Sequence, residues 1–114
     1  MSTEPIYTPA QIAEINRASL GWEARIHAEL VRAKRKFPQW PTDPVHAAAI
    51  VSEEAGELVR AVNEACYEPH KTNPARPLDD VITEAIQLGA MVRRFIESAG
   101  HYKVAPGPQH DQSN

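Results

Sequence analysis

Cysteine, glycine and long apolar runs are scarce in this sequence, and each shortage excludes a class of structure. The 114-residue chain has one cysteine, so it forms no internal disulfide and no cysteine-rich zinc site. Its five glycines form no Walker-type loop, so phosphate recognition would need side chains or a metal ion. No apolar run approaches the roughly 20 residues that span a bilayer, and no secretory signal pattern is present. We therefore predict a cytoplasmic chain with no membrane partner.

The sequence also lacks a strong excess of charge of one sign. Fifteen acidic and twelve basic residues give a net charge of −3, which predicts no nucleic-acid partner. With 42% apolar residues, the chain can build one modest core but not a second domain.

Proline, by contrast, is abundant, and its positions predict the fold. The ten prolines leave three uninterrupted stretches, residues 10–37, 45–68 and 78–105, each long enough for a helix of several turns. No run of alternating apolar residues predicts a strand. The sequence therefore predicts an all-α fold.

Capping residues predict where the three helices begin. A short polar side chain followed by proline, or a pair of acids in the first turn, is typical of a helix N-terminus. These signals are Thr8 with Pro9 and Gln11 for the first helix, Asp43 with Pro44 for the second, and Asp79 with Asp80 for the third.

Other signals predict where the helices end. The second helix should end near Tyr67, and Gly100 is expected to cap the third. The Ser19-Leu20-Gly21 segment predicts a break within the first helix, because glycine weakens a helix interior. The chain is thus divided into an N-terminal extension (residues 1–8), a helical domain (residues 9–100) and a flexible C-terminal tail (residues 101–114).

Two of these helices carry carboxylates on or beside faces that are otherwise apolar. At about 100° per residue, Glu54 falls inside the apolar face of the second helix, and Glu57 lies at its edge. On the third helix, Glu84 lies toward one side of the apolar face, with Asp80 and Gln87 at the same edge. The two pairs Glu54/Glu57 and Glu84/Gln87 have the same i,i+3 spacing.

Carboxylates on packed faces are costly, since an unpaired buried charge costs several kcal/mol and neighbouring acids raise that cost. A cation would resolve the conflict, and oxygen ligands favour Mg²⁺ or Mn²⁺. The alternative is that the glutamates are solvated and paired with basic residues one turn away. We expect that alternative for Glu53, Glu64 and Glu68, and disfavour it for Glu54 and Glu84.

The acidic motif resembles that of a known family. Glu53-Glu54-Ala55-Gly56-Glu57-Leu58, followed by Glu84-Ala85-Ile86-Gln87, resembles the EExxE and ExxD signature of the MazG-like, all-α nucleoside triphosphate pyrophosphohydrolases. The resemblance covers roughly residues 25–99. It implies a MazG-like helical bundle, completed by oligomerisation, that uses Mg²⁺ to hydrolyse a nucleoside triphosphate to the monophosphate and pyrophosphate.

The resemblance also implies roles for individual acids. Glu54, Glu57 and Glu84 match metal ligands, and Glu53 or Glu54 is the candidate catalytic base. Gln87 stands where the family usually has aspartate, and it can offer a metal only a neutral oxygen. Asp80, one turn before Glu84, is a candidate to compensate. Gln87 also fits the alternative of a protein that binds nucleotide or metal without cleaving the nucleotide.

Residues outside the acidic motif are candidates for binding the substrate. Phe37 and Trp40 lie on the connector before the second helix, where an aromatic ring can stack on a base or, equally, cap the core. The other candidates for base or phosphate contacts are Lys36, Asn63, Lys71, Arg76 and Arg94, although each cation alone is more often a surface charge.

Three functions remain open from the sequence. The first is the triphosphate pyrophosphohydrolase, and the second is a non-catalytic nucleotide- or metal-binding module. The third, a purely structural helical oligomer, requires Glu54 and Glu84 to be exposed to solvent. In a single chain, the other helices can cover the two acidic helices only incompletely. We therefore predict a homodimer or homotetramer.

Overall fold

The residues that the structure describes form three α-helices and two single turns of 3-10 helix. The computed structural model describes residues 6–104, in which there is no strand, so the predicted all-α fold is confirmed. None of the helices in this part of the chain is both long and apolar enough to cross a membrane. The helices are α1 (Pro9–Lys36), α2 (Pro44–Tyr67) and α3 (Asp79–Glu97), with the 3-10 turns at Pro69–Lys71 and Ala99–His101.

The predicted caps form at the start of α1 and α2. The backbone N–H of Gln11 donates to Thr8 Oγ1 (3.2 Å), and the N–H of Thr8 donates to Gln11 Oε1 (2.8 Å). At α2, the N–H of Val45 donates to Asp43 Oδ1 (2.9 Å). Because these bonds satisfy N–H groups that lack a partner inside the helix, they fix where each helix begins.

Two predictions about helix interruptions and ends are wrong. α1 runs without a break through Gly21, because one glycine costs a helix only about 1 kcal/mol, which a helix of 28 residues tolerates. α3 ends at Glu97 with Ser98 as its C-cap, and Gly100 lies in the following 3-10 turn. No glycine in the described chain has the positive φ of a left-handed cap.

α3 is the central helix, because it packs against both α1 and α2. α1 runs in the same direction as α3: Ile26 contacts Gly89, and Lys34 Nζ bonds Glu97 Oε2 (3.0 Å). A Cβ atom at Gly89 would lie 3.0 Å from Ile26 Cδ1, so glycine permits this close approach. The contact sets the crossing of the two helices.

α2 runs antiparallel to α3. The backbone N–H of Lys103, beyond the end of α3, donates to the carbonyl oxygen of Thr42, just before α2 (2.8 Å). At the other end, Glu64 near the end of α2 faces Asp80 at the start of α3. α1 and α2 do not pack against each other, and a cavity separates them.

The chain buries few apolar side chains. Within residues 6–104, Leu30 is the largest side chain that is fully buried, and four of the six buried apolar residues are alanines. The radius of gyration is 19.5 Å, whereas a compact chain of this size has about 13 Å. Large apolar side chains are instead exposed on the first half of α1 and the outer face of α2: Ile12, Ile15, Leu20, Trp22, Val45, Val59 and Val62.

The segment after α3 differs from the predicted tail. Residues 101–103 were expected to be flexible, but Tyr102 is half-buried and its ring lies 5.1 Å from that of Phe95. With the bond from Lys103 to Thr42, the folded part of the chain extends beyond the predicted boundary at residue 100. Residues 1–5 and 105–114, the outer parts of the predicted extension and tail, lie outside the described residues.

Candidate functional site

A cavity of about 550 Å³ lies between the three helices and the connector that precedes α2. We call it the central cavity. This volume is within the range of small-molecule sites, about 300–1,000 Å³. Its walls are formed by Glu29, Arg32, Ala33 and Lys36 of α1, Phe37, Gln39, Trp40 and Pro41 of the connector, His46, Ile50 and Glu54 of α2, and Gln87, Met91 and Arg94 of α3.

Glu54 is a half-buried carboxylate of this cavity. It lies among Ile50 of its own helix and Glu29 and Gln87 of the two neighbouring helices. Burial raises the pKa of Glu54, and the negative charges of Glu84, Glu57, Glu29 and Glu53 raise it further, in that order. The carboxylate is therefore held in a place where its charge is unfavourable.

Two further acids of the motif, Glu57 and Glu84, line a smaller hollow of about 180 Å³, which we call the acidic pocket. It is formed between α2 and α3 by Glu57, Arg60, Ala61, Glu64, Asp80 and Glu84. Arg60 partly compensates these charges, since its guanidinium lies 3.4 Å from Glu64 and 3.8 Å from Glu57. Glu84, like Glu54, is half-buried.

The structure therefore divides the predicted ligand set between two hollows. Glu54 and Gln87 line the central cavity, whereas Glu57, Asp80 and Glu84 line the acidic pocket. The division follows from helix geometry, because residues three apart on a helix point about 60° away from each other. The two hollows adjoin along the α2–α3 interface, because Glu54 and Glu57 lie one turn apart on α2, as Gln87 and Glu84 do on α3.

Cationic and aromatic side chains line the end of the central cavity that lies away from Glu29 and Glu54. Lys36 Nζ lies 5.4 Å from the centre of the Phe37 ring, and Arg94 Cζ lies 4.9 Å from that of Trp40. Arg94 is only 5% exposed, and burial lowers the pKa of its guanidinium. Its Nη2 donates to the carbonyl oxygens of Phe37 (2.7 Å) and Gln39 (3.5 Å), so Arg94 fixes the connector.

Of the predicted substrate-binding residues, the structure places Lys36, Phe37, Trp40 and Arg94 together in the central cavity. The others line neither hollow. Asn63 is exposed, Lys71 pairs with Glu68 (3.0 Å), and Arg76 pairs with Asp79 (3.0 Å). Glu53, one of the two candidate bases, is also exposed and outside both hollows.

Glu29, the acid that α1 contributes, was not among the residues predicted from the sequence. Its side chain is 19% exposed and bonds Arg32 on the next turn. The sequence contained a signal for this residue, because Glu29 lies between Ile26 and Leu30, next to the apolar face of α1. The same criterion that singled out Glu54 on α2 would have found it.

The donor chemistry of the two hollows fits Mg²⁺ or Mn²⁺, because carboxylate and amide oxygens are the ligands these ions prefer. Within residues 6–104, however, no group of three or more His, Cys, Asp or Glu side chains is arranged to hold a metal ion. Side chains such as Glu57 and Glu84, on the two sides of the acidic pocket, would have to turn toward Glu54 to complete a site.

Comparison with known proteins adds no relative: the chain matches no family model, no curated protein and no solved structure. The likeness to the MazG-like family thus depends on the motif residues alone.

Replacing Glu54 with glutamine should stabilise the metal-free protein at pH 7. The raised pKa means that ionised Glu54 opposes folding, so the stability of the wild type falls as pH rises from 4.5 through the folded-state pKa. The gain in Glu54→Gln should be full above that pKa and vanish below pH 4.5. Thermal melts in EDTA across this range measure it.

Glu53→Gln is the matched control, because Glu53 is exposed one residue away. It should leave the melting temperature nearly unchanged at every pH. A Glu54→Gln variant that is less stable than the wild type at pH 7 would contradict the description of Glu54 as a destabilising charge.

Proposed function

We propose that the protein is a Mg²⁺-dependent nucleoside triphosphate pyrophosphohydrolase that releases a nucleoside monophosphate and pyrophosphate. One observation carries the proposal: half-buried acids from both halves of the motif, Glu54 on α2 and Glu84 on α3, lie at adjoining hollows. Their burial also disfavours the purely structural oligomer, which required both acids to be exposed.

The metal ligands in this proposal are Glu54, Glu57 and Glu84, with Asp80 or Gln87 as a further oxygen donor. When bound, Mg²⁺ supplies charge neutralisation to the phosphates and lowers the pKa of a coordinated water. Mn²⁺ has the same ligand preferences and is expected to substitute.

The proton of the attacking water is accepted by Glu54. Glu54 is assigned this role rather than Glu53 because it lines the central cavity, whereas Glu53 is exposed and lines neither hollow. Addition of the water oxygen to the α-phosphorus breaks the phosphoanhydride bond between the α- and β-phosphates. Pyrophosphate leaves, and the nucleoside monophosphate remains.

The two ends of the central cavity suggest how the nucleotide lies. The carboxylates of Glu29 and Glu54 line one end, which suits metal-bound phosphates, and the indole of Trp40 lines the other. A base stacked on an aromatic ring gains about 1–3 kcal/mol. Lys36 beside Phe37 offers a positive charge at the same end.

A second candidate, favoured by Gln87, is a module that binds nucleotide or metal without hydrolysis. Gln87 lines the central cavity with Glu54, where the family's signature would supply an aspartate. An amide there removes one negative charge and cannot accept a proton as a carboxylate does. Both candidates bind nucleotide or metal, but only the pyrophosphohydrolase cleaves the nucleotide.

Turnover is tested by measuring pyrophosphate release from a panel of ribo- and deoxyribonucleoside triphosphates with Mg²⁺ or Mn²⁺. We expect metal-dependent release with at least one base, and a loss of about a hundredfold or more in kcat/KM for Glu54→Gln.

Asp80→Asn should weaken metal binding if Asp80 compensates for Gln87.

Asn63→Asp serves as the control, because it alters charge on α2 at an exposed position outside both hollows. It should retain wild-type turnover. Tight metal binding without release from any triphosphate would favour the non-catalytic module, and full activity of Glu54→Gln would contradict the assignment of Glu54.

We also propose that the chain acts as a homodimer or homotetramer in the cytoplasm. Its small core, its radius of gyration of 19.5 Å and the exposed apolar side chains on α1 all fit a fold completed by further copies. Ile15 and Trp22 lie two turns apart on one side of α1 and are 46% and 43% exposed.

Sedimentation velocity should give a mass that is two or four times the 12.6 kDa of the chain. The double variant Ile15→Glu/Trp22→Glu should shift the protein to a smaller species, because charges buried between copies are costly. Ala24→Glu, on another side of α1, should leave the mass unchanged. A wild-type chain that is monomeric at tens of micromolar would contradict the proposal.

A further inference from the structure

Trp40 is joined to the C-terminal segment by a chain of hydrogen bonds. Its indole Nε1–H donates to the hydroxyl oxygen of Tyr102 (2.9 Å), and that hydroxyl donates to the carbonyl oxygen of Phe95 (2.9 Å). The hydroxyl therefore links the connector to the last turns of α3. Trp40 and Tyr102 are 62 positions apart in the sequence, so only the fold brings them together.

The ring of Tyr102 is fixed independently of its hydroxyl. It packs 5.1 Å from Phe95, and the next residue, Lys103, donates its backbone N–H to the carbonyl oxygen of Thr42 (2.8 Å). The segment thus keeps its place even when the hydroxyl is removed. Removing the hydroxyl therefore tests its bond to Trp40 without displacing the segment.

The connector needs such a support. Pro38 and Pro41 have no backbone N–H, so this stretch cannot form the bonds of a regular helix or strand. Arg94 holds its first part through the carbonyls of Phe37 and Gln39, and stacks on one face of the Trp40 ring. The hydroxyl of Tyr102 holds the polar edge of that ring.

We propose that Tyr102 is a positioning residue for ligand binding: its hydroxyl fixes the Trp40 indole as the aromatic wall of the central cavity. The ligand it serves is one with a flat aromatic ring, the nucleobase of the triphosphate, so this inference depends on the proposed function. Tyr102 itself does not line the cavity. It acts through Trp40.

The conservative variant Tyr102→Phe isolates this role, because it removes only the hydroxyl and keeps the ring against Phe95. The indole N–H would then lose its partner, and the ring would sample other orientations. Since a hydrogen bond of this kind changes an equilibrium by about three- to tenfold, we expect nucleotide affinity to fall by about that factor.

The first measurement needs no ligand. In a Trp22→Phe background, Trp40 is the one remaining tryptophan of the chain. Quenching of its fluorescence by acrylamide should increase at least about twofold in Tyr102→Phe. Tyr67→Phe is the matched control, because Tyr67 is 81% exposed at the end of α2 and should leave the quenching unchanged.

The second measurement uses the α,β-methylene analogues of the four common nucleoside triphosphates with Mg²⁺, titrated against Trp40 fluorescence. The dissociation constant should rise about three- to tenfold in Tyr102→Phe. In the turnover assay, KM should rise by the same factor while kcat stays within about twofold, a split that a loss of folding would not give.

The outcomes separate the two proposals. Unchanged quenching in Tyr102→Phe overturns the positioning role, whatever the protein binds. Increased quenching with unchanged nucleotide affinity also overturns it, since Trp40 would then move without effect on the ligand. If the wild type binds none of the four analogues, the proposed function fails, and the role of Tyr102 in nucleotide binding fails with it.

Discussion

The repulsion between carboxylates that meet at the α2–α3 interface is the constraint on which the site depends. Glu54 is half-buried, and Glu84 and Glu57 act on it from the adjoining acidic pocket. Neighbouring half-buried carboxylates do not stabilise a fold, and a bound cation would offset their repulsion. The antiparallel packing of α2 on α3 and the cavity that keeps α1 apart from α2 both serve to hold these acids around open space.

The sequence predicted the helices well because their signals are local. Thr8 and Asp43 form the predicted caps, and the prolines in the connector and in the loop after α2 stand where helices cannot continue. The face containing Glu54 was also predictable, since a helical period fixes which side chains share a side. The break at Gly21 was wrong because the cost of one glycine is small against a helix of 28 residues.

The arrangement of the site could not be predicted in the same way. Whether Glu54 and Glu57 share one hollow depends on how α3 crosses α2, which no local signal contains. The same is true of Glu29, which reaches the cavity only because α1 lies against α3 at Gly89. The contact between Tyr102 and Trp40 joins residues that are 62 positions apart, and the composition of the C-terminal segment predicted flexibility instead.

In the function that we propose, Glu54 and Glu84 belong to one metal-dependent site. Calorimetric titration of Mn²⁺, with a non-hydrolysable triphosphate present, tests it directly in the wild type, Glu54→Gln, Glu84→Gln and the double variant. We expect each single variant to lose at least about tenfold in Mn²⁺ affinity and the double variant to lose little more. Losses that simply multiply in the double variant, or no Mn²⁺ binding by the wild type, would contradict it.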